Sequence, residues 1–106
     1  MTDLRNQLET KLADLLGVEL SFYKDTDLKV VTYKKREIAH FHNGLRELDV
    51  RIPKKFAKRY GLGEPYVSPK HPDRSKNSIW RVLPYDSAQQ VDEMVSLINL
   101  LLKEEY

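Results

Sequence analysis

Two histidines and two carboxylates, each pair spaced two residues apart, are the side chains of this sequence best suited to chemistry. His40 and His42 come first, and Glu47, Asp49 and Arg51 follow shortly after them. In an extended strand, residues two apart lie on the same face with their Cα atoms about 7 Å apart, so each pair presents its groups on one side. Imidazole beside carboxylate can ligate a metal ion, bind an anion when protonated, or act as a general base.

Asn43-Gly44 lies between the two pairs and predicts a two-residue hairpin turn, because both residues accept positive φ. Such a loop places His42 opposite Leu45 and His40 opposite Glu47, and paired residues share a face. The predicted polar face contains Ile38, His40, His42, Leu45, Glu47, Asp49 and Arg51. The predicted apolar face, which can lie against helices, contains Ala39, Phe41, Leu48, Val50 and Ile52.

These groups leave several functions open. A metal ion could bind His40, His42 and an acid, an anion could bind Arg51 with a protonated histidine, or the face could be plain solvated surface. His71 completes the site if its loop folds over the sheet, and Trp80 is either a pocket wall or part of the core. The candidate ligand-binding residues are His40, His42, Glu47, Asp49, Arg51, His71 and Trp80, with His40 and His42 as candidate metal ligands.

The basic residues are concentrated in the middle of the chain. Residues 1–28 carry 3 basic and 6 acidic side chains, residues 29–86 carry 14 and 6, and residues 87–106 carry 1 and 4. A partner with phosphates or carboxylates would therefore meet the middle segment, although a net charge of +2 is small for a dedicated nucleic-acid binder. The candidate contacts for such a partner are Lys34, Lys35, Arg36, Lys54, Lys55, Lys58, Arg59, Arg74 and Lys76.

Hydrophobic periodicity predicts the element order α-β-β-β-β-α-β-α, an α+β domain with an antiparallel sheet of about five strands and helices on one face. The first helix, between a Thr2 cap and Gly17, follows leucines at helical spacing, namely Leu4, Leu8, Leu12, Leu15 and Leu16. The predicted strands span residues 18–23, 28–33, 37–42, 45–52 and 78–83.

Two further helices and one long loop complete the predicted fold. A short helix begins at Pro53, and a long one follows Ser87, which forms a capping box with Gln90. The long helix is expected to bury Val91, Met94, Val95, Ile98, Leu101 and Leu102. Residues 64–77 contain three of the five prolines and predict an irregular loop, whose length in so small a domain favours a binding role.

The composition is that of one globular domain spanning residues 1–106. The chain is 41% hydrophobic and 32% charged, and no apolar run reaches the roughly 18 residues of a membrane span. Because the N-terminus lacks a secretion signal, we expect a cytoplasmic protein with no membrane partner. The lack of cysteine excludes disulfides, thiolate metal sites and cysteine catalysis. No phosphate-binding loop or activated serine is recognisable, so enzymatic activity and cofactors stay undefined at this point.

Several short segments resemble a known family. They are Gly17-Val18, residues 37–42, residues 48–53, residues 66–72 and Trp80, ahead of a closing apolar helix. Over about residues 17–104 the chain resembles the small bacterial and fungal domain termed the luciferase domain, whose function is effectively unknown. The resemblance implies no luciferin, flavin or oxygen chemistry, and Ile79 replaces the small residue expected before the tryptophan. It implies functional positions only at His40, His42, Asp49, Pro53, His71 and Trp80.

The order of elements also resembles, at the level of the fold, the small double-wing DNA-binding domains. That likeness implies phosphate contacts by the turn at residues 34–36, the second helix, Arg74 and Lys76. We therefore predict a domain that binds a small anionic ligand, with or without a metal ion, on its polar sheet face. The alternative prediction is a module that binds nucleic acid or an acidic partner through the basic middle segment.

Overall fold

The computed structural model describes residues 3–106 of the protein, and these residues form three helices and five strands. Their order is the predicted one, which confirms the α+β class. The helices are α1 (Leu4–Ala13), α2 (Lys54–Arg59) and α3 (Ala88–Glu105). The strands are β1 (Val18–Phe22), β2 (Lys29–Tyr33), β3 (Arg36–Phe41), β4 (Glu47–Arg51) and β5 (Trp80–Pro84). None of the described helices is long and apolar enough to cross a membrane.

The first helix is shorter than its leucine pattern predicts. Asp3 caps its start, because the Asp3 carboxylate accepts a hydrogen bond from the backbone N–H of Arg5 at 3.0 Å. The predicted cap, Thr2, lies outside the described residues. The helix ends at Ala13, and Leu16 is 94% exposed, so the prediction that Leu16 belongs to the helical face was wrong. Gly17 turns the chain into β1 with a φ of +84°.

All five strands form one antiparallel sheet in the order β1-β2-β3-β4-β5, so each strand pairs with its neighbour in the chain. The link between β4 and β5 is long and contains α2 followed by residues 64–77, which form no helix or strand, as predicted. An isolated bridge between Tyr66 and Val82 ties this loop to β5. The two parts of this link lie on opposite faces of the sheet. Helix α2 packs on the apolar face, and the loop lies over the polar face.

One face of the sheet packs against the helices and forms the hydrophobic core. From α1 come Leu8 and Leu12, and α2 contributes Phe56. The predicted stripe of α3 is confirmed, except that Val95 is only half-buried. Full burial of each such side chain contributes about 1.5–3 kcal/mol, so this face is the main source of stability. The buried sheet residues of the core are Val18, Val31, Ile38, Ala39, Phe41, Leu48, Val50 and Ile52.

The hairpin between β3 and β4 has a different register from the predicted one. His40 pairs with Asp49 and not with Glu47, so the pairing is shifted by two residues from the register that a two-residue turn would give. The loop contains residues 43–46, and the backbone N–H of His42 donates to the carbonyl oxygen of Glu47 at 3.3 Å. Because side chains alternate with a period of two, an offset of two leaves His40, Glu47 and Asp49 on their predicted face.

A bulge in β3 corrects the prediction for Ile38. Val31 of β2 pairs with Ala39, whereas the next residue, Thr32, pairs with Glu37. Ile38 is therefore the extra residue between two ladder partners, and a bulged residue escapes the strict alternation of faces. The structure places Ile38 in the hydrophobic core, fully buried, and not on the polar face.

Replacing Phe41 with alanine should lower the free energy of unfolding by about 3–5 kcal/mol, because its fully buried ring would leave a cavity. Phe22→Ala is the matched control, since Phe22 is 56% exposed on the edge strand, and should cost less than about 1 kcal/mol. Urea denaturation followed by circular dichroism measures both values. Equal losses at the two positions would contradict this placement of the core.

Candidate metal centre

All three histidines of the chain direct a ring nitrogen at the same carboxylate oxygen. The Nε2 atoms of His40, His42 and His71 lie 3.2, 3.5 and 3.4 Å from Oδ2 of Asp49. The four ligand atoms that these residues offer lie within 4.8 Å of one another. Within residues 3–106, this is the group of side chains whose geometry could hold a metal ion.

Three separate segments bring these side chains together. His40 lies in β3, and Asp49 is its direct cross-strand partner in β4. His42 follows β3, and its ring centroid is 5.6 Å from that of His40, as expected for residues two apart in an extended chain. His71 comes from the long loop, where its backbone N–H donates to the carbonyl oxygen of Ser68 at 3.0 Å. The loop therefore folds over the sheet and supplies the third imidazole.

Arg74 neutralises the carboxylate at the centre of the group. Its Nη1 donates to Oδ1 of Asp49 at 2.7 Å and its Nη2 donates to Oδ2 at 2.8 Å, a bidentate pair. Asp49 is fully buried, and burial raises the pKa of its carboxyl group. The hydrogen bonds and charges of His40 and Arg74 outweigh this effect and hold the pKa of Asp49 well below its usual range. The carboxyl group of Asp49 is therefore ionised at neutral pH.

Glu47 and Ser68 fix the orientation of His42. The Nδ1 atom of His42 lies 2.8 Å from Oε1 of Glu47, and the same oxygen accepts a hydrogen bond from the Ser68 hydroxyl at 2.6 Å. Burial raises the pKa of Glu47, but the hydrogen bonds from Ser68 and His42 outweigh it and keep the pKa below its ordinary value. Because an ionised carboxylate only accepts hydrogen bonds, Nδ1 of His42 carries the proton.

The remaining nitrogen of His42 has no hydrogen-bond partner among the described residues. In a neutral ring protonated at Nδ1, Nε2 carries a lone pair, and this buried atom points toward Oδ2 of Asp49 without a donor between them. A lone pair facing a carboxylate oxygen in a buried site is unfavourable unless a hydrogen-bond donor or a cation lies between the two atoms. Nε2 of His42 is therefore free to accept a group that the described residues do not supply, and a metal ion is one such group.

The distances suit a small transition-metal ion. Bonds of 2.0–2.1 Å to nitrogen and oxygen, arranged tetrahedrally, set neighbouring ligand atoms about 3.3–3.4 Å apart. The three nitrogen-to-oxygen distances in the group, 3.2, 3.4 and 3.5 Å, bracket that value. The widest spread of 4.8 Å would have to close by roughly 1.4 Å to complete a tetrahedron. Three imidazoles and one carboxylate favour zinc, iron, nickel or copper over calcium and magnesium.

The group is buried at His42 and partly exposed at His71. The side chain of His42 is 5% exposed, whereas that of His71 is 37% exposed. Burial and the nearby Arg74 charge lower the pKa of His71, which favours the neutral imidazole that binds metals. The half-buried Trp80 lies beside the group, with its ring centroid 5.3 Å from that of His40. A ligand would therefore approach past His71 and Trp80.

The structure corrects the idea of an open polar sheet face, because the long loop covers it and buries Glu47, Asp49 and Ser68. Of the candidates from the sequence, the structure brings together His40, His42, Asp49 and His71, with Glu47 and Trp80 in contact with them. Arg51 lies further along β4, opposite Trp80, and lines a neighbouring groove with His40. Sequence reasoning missed the role of Ser68, for which the length of the loop was the only signal.

Several candidate phosphate contacts have partners within the chain. Arg74 binds the buried Asp49 and not the surface. Lys54 donates to Asn77, and Lys34 and Arg36 lie over the rings of Tyr33 and Tyr106. These contacts reduce the charge available to a phosphate backbone, and nucleic-acid binding stays a prediction. Three more of these cations form ion pairs, Lys55 with Glu105, Arg59 with Glu104 and Lys76 with Glu64, at 3.4, 2.6 and 3.2 Å.

Comparison with protein-family models, with curated proteins and with solved structures yields no match for this chain. The resemblance to the luciferase domain therefore stays a prediction from the sequence. The chemistry of the site has to be argued from its own geometry.

Arg74→Gln should lower the free energy of unfolding of the metal-free protein by about 3 kcal/mol, because it leaves the buried Asp49 carboxylate without its charged partner. Lys76→Gln is the matched control in the same loop. Its pair with Glu64 is exposed on both sides, so its loss should cost less than about 0.5 kcal/mol. Chemical denaturation in the presence of a chelator measures both. Similar losses for the two variants would contradict the buried pair.

Proposed function

We propose that this domain binds a divalent transition-metal ion through His40, His42, His71 and Asp49, and that a small anionic ligand binds on the open side of the ion. The observation that carries the proposal is the convergence of three Nε2 atoms on one carboxylate oxygen, at 3.2–3.5 Å. All three histidines of the chain belong to this group.

The surroundings of the four ligands support this function. Metal-bound histidines commonly donate their second ring nitrogen to a carboxylate, which fixes the tautomer and raises the basicity of the ligating nitrogen. Glu47 has this position on His42, and Ser68 in turn binds Glu47. On His40, Nδ1 lies 3.6 Å from Oε2 of Glu37, which places a second carboxylate near the corresponding atom.

The charge of the site explains why an anion would join the metal. Three neutral imidazoles and one carboxylate leave a divalent ion with net positive charge, and Arg74 adds a guanidinium at the same place. Four protein ligands complete a tetrahedron, so an anion would join the ion as a fifth ligand, from the side on which His71 is exposed. His71 lies on the side from which such a ligand enters.

Cobalt(II) should bind the purified protein with one equivalent per chain and give the visible absorption band of a nitrogen- and oxygen-coordinated ion. His71→Ala should weaken this binding by at least tenfold, because it removes one of the four ligands from the most exposed position of the group. Lys70→Ala, the neighbouring exposed residue, is the control and should bind cobalt like the wild type. Equal cobalt binding by the two variants would contradict the ligand set.

Zinc should stabilise the folded protein and EDTA should reverse the effect. An ion that binds only the folded state adds about 2.7 kcal/mol at a free concentration of 100 times its Kd. Differential scanning fluorimetry at rising zinc concentration measures the change, with magnesium as a control that these nitrogen ligands do not favour. If neither zinc nor cobalt binds, the proposed function is wrong.

A further inference from the structure

A narrow cleft lies beside the candidate metal centre, and His71 is the one of the four candidate ligands that lines it. It lies between the long loop and β5, and Tyr66, Ser68, His71, Arg74 and Trp80 are among its lining residues. The rings of Tyr66 and Trp80 provide aromatic walls, and the rim beside Tyr66 carries the exposed side chain of Val67. Flat apolar groups stack well on such rings, but the cleft holds only about 50 Å³, so a planar apolar part would lie at its exposed mouth beside Tyr66 and only the small anionic part would enter.

The charged residues that line the cleft indicate which polar group the ligand should carry. Among the described residues that line it there is no carboxylate, whereas Arg74, Lys76 and Arg81 are cationic. Arg81 is held in place because its Nη2 donates to the carbonyl oxygen of Gly63 at 3.0 Å. Lys76 contributes less, since Glu64 already pairs with it in water. The lining therefore favours an anionic group, with Arg74 nearest to the metal centre.

Arg74 belongs to both the cleft and the metal centre. Its Nη2 donates to Oδ2 of Asp49, the same oxygen to which the three imidazoles point. A divalent ion bound to that oxygen would repel the guanidinium strongly, because charges a few ångströms apart in a site with little water are weakly screened. Metal and Arg74 are therefore competing partners of one oxygen atom.

We infer that metal binding loosens Arg74 from Asp49 and makes its guanidinium available to the cleft, so that the metal and a small anion carrying a flat apolar group bind cooperatively. The inference rests on the proposed metal site and names the ligand class for it. The guanidinium displaced from Asp49 then pairs with the anionic group of the ligand, so Arg74 again has an anionic partner. The cleft is a weak anion site in the metal-free protein and a stronger one in the metal-bound protein.

Phenyl phosphate is a suitable probe. Inorganic phosphate, which lacks the ring, and phenol, which lacks the charge, are the matched controls. Trp80 is the only tryptophan of the chain and lines the cleft, so its fluorescence reports binding directly. We expect phenyl phosphate to bind the zinc-loaded protein roughly tenfold more tightly than the metal-free protein, within the usual range of coupling between two sites. Inorganic phosphate and phenol should each bind more weakly than phenyl phosphate.

Arg74→Gln separates this coupling from simple coordination of phosphate to zinc. Since the variant removes the competing cation, it should bind zinc alone roughly tenfold more tightly than the wild type and lose most of the cooperativity with phenyl phosphate. Lys76→Gln, a cleft cation that does not touch Asp49, should leave zinc affinity unchanged. Weaker zinc binding by Arg74→Gln, or unchanged cooperativity, would overturn the inference and leave Arg74 as a support for Asp49.

A second measurement on the wild-type protein covers the case in which Arg74→Gln does not fold. The side-chain Nε–H resonance of Arg74 in a ¹⁵N spectrum should shift when zinc is added and shift again with phenyl phosphate. A zinc-bound protein in which this resonance does not move overturns the inference but not the metal site. A protein that binds no zinc at all overturns the proposed function itself.

Discussion

The buried carboxylate of Asp49 is the charge on which the polar half of this molecule depends. It is fully excluded from water, and an isolated ionised carboxylate in such a place would cost several kcal/mol. Its partners are Arg74, which binds both oxygens, and three imidazole nitrogens gathered around one of them. The long loop is held over the sheet because two of these partners, His71 and Arg74, belong to it.

The second buried carboxylate, Glu47, adds another anchor for the same loop. It accepts the Ser68 hydroxyl and contacts Nδ1 of His42, so it joins the loop to the end of β3. The two acidic residues of β4 therefore have different tasks, although they lie two positions apart on one strand. Asp49 offers an oxygen to the centre of the group, and Glu47 determines which nitrogen of His42 faces that centre.

The sheet separates two kinds of packing. On one face, large apolar side chains pack against the helices and supply most of the stability. On the other face, buried charges and imidazoles satisfy one another through hydrogen bonds, an arrangement that contributes little net stability but fixes geometry closely. A site of this kind can tolerate an unpaired nitrogen on His42, because the apolar face stabilises the fold independently of it.

Much of the fold followed from local patterns. The stripe of α3 and the alternation in β4 predicted their elements and buried faces, because helical and strand periods can be read from a single chain. The exceptions were local irregularities of the backbone, which no hydrophobic periodicity indicates. The bulge at Ile38 moved a residue into the core, the Asn43-Gly44 segment formed a longer loop than its dipeptide predicts, and α1 stopped before Leu16.

The sequence by itself determined the α+β order of elements and grouped His40, His42 and Asp49 on one sheet face, since the spacing of strand residues fixes which of them share a face. Only the tertiary structure decided that the long loop covers this face and that Arg74 belongs to Asp49 and not to a phosphate surface. The reason is that Arg74 and Asp49 are 25 residues apart, joined by an irregular segment whose path no periodicity records. Contacts of that range depend on the packing of the whole chain.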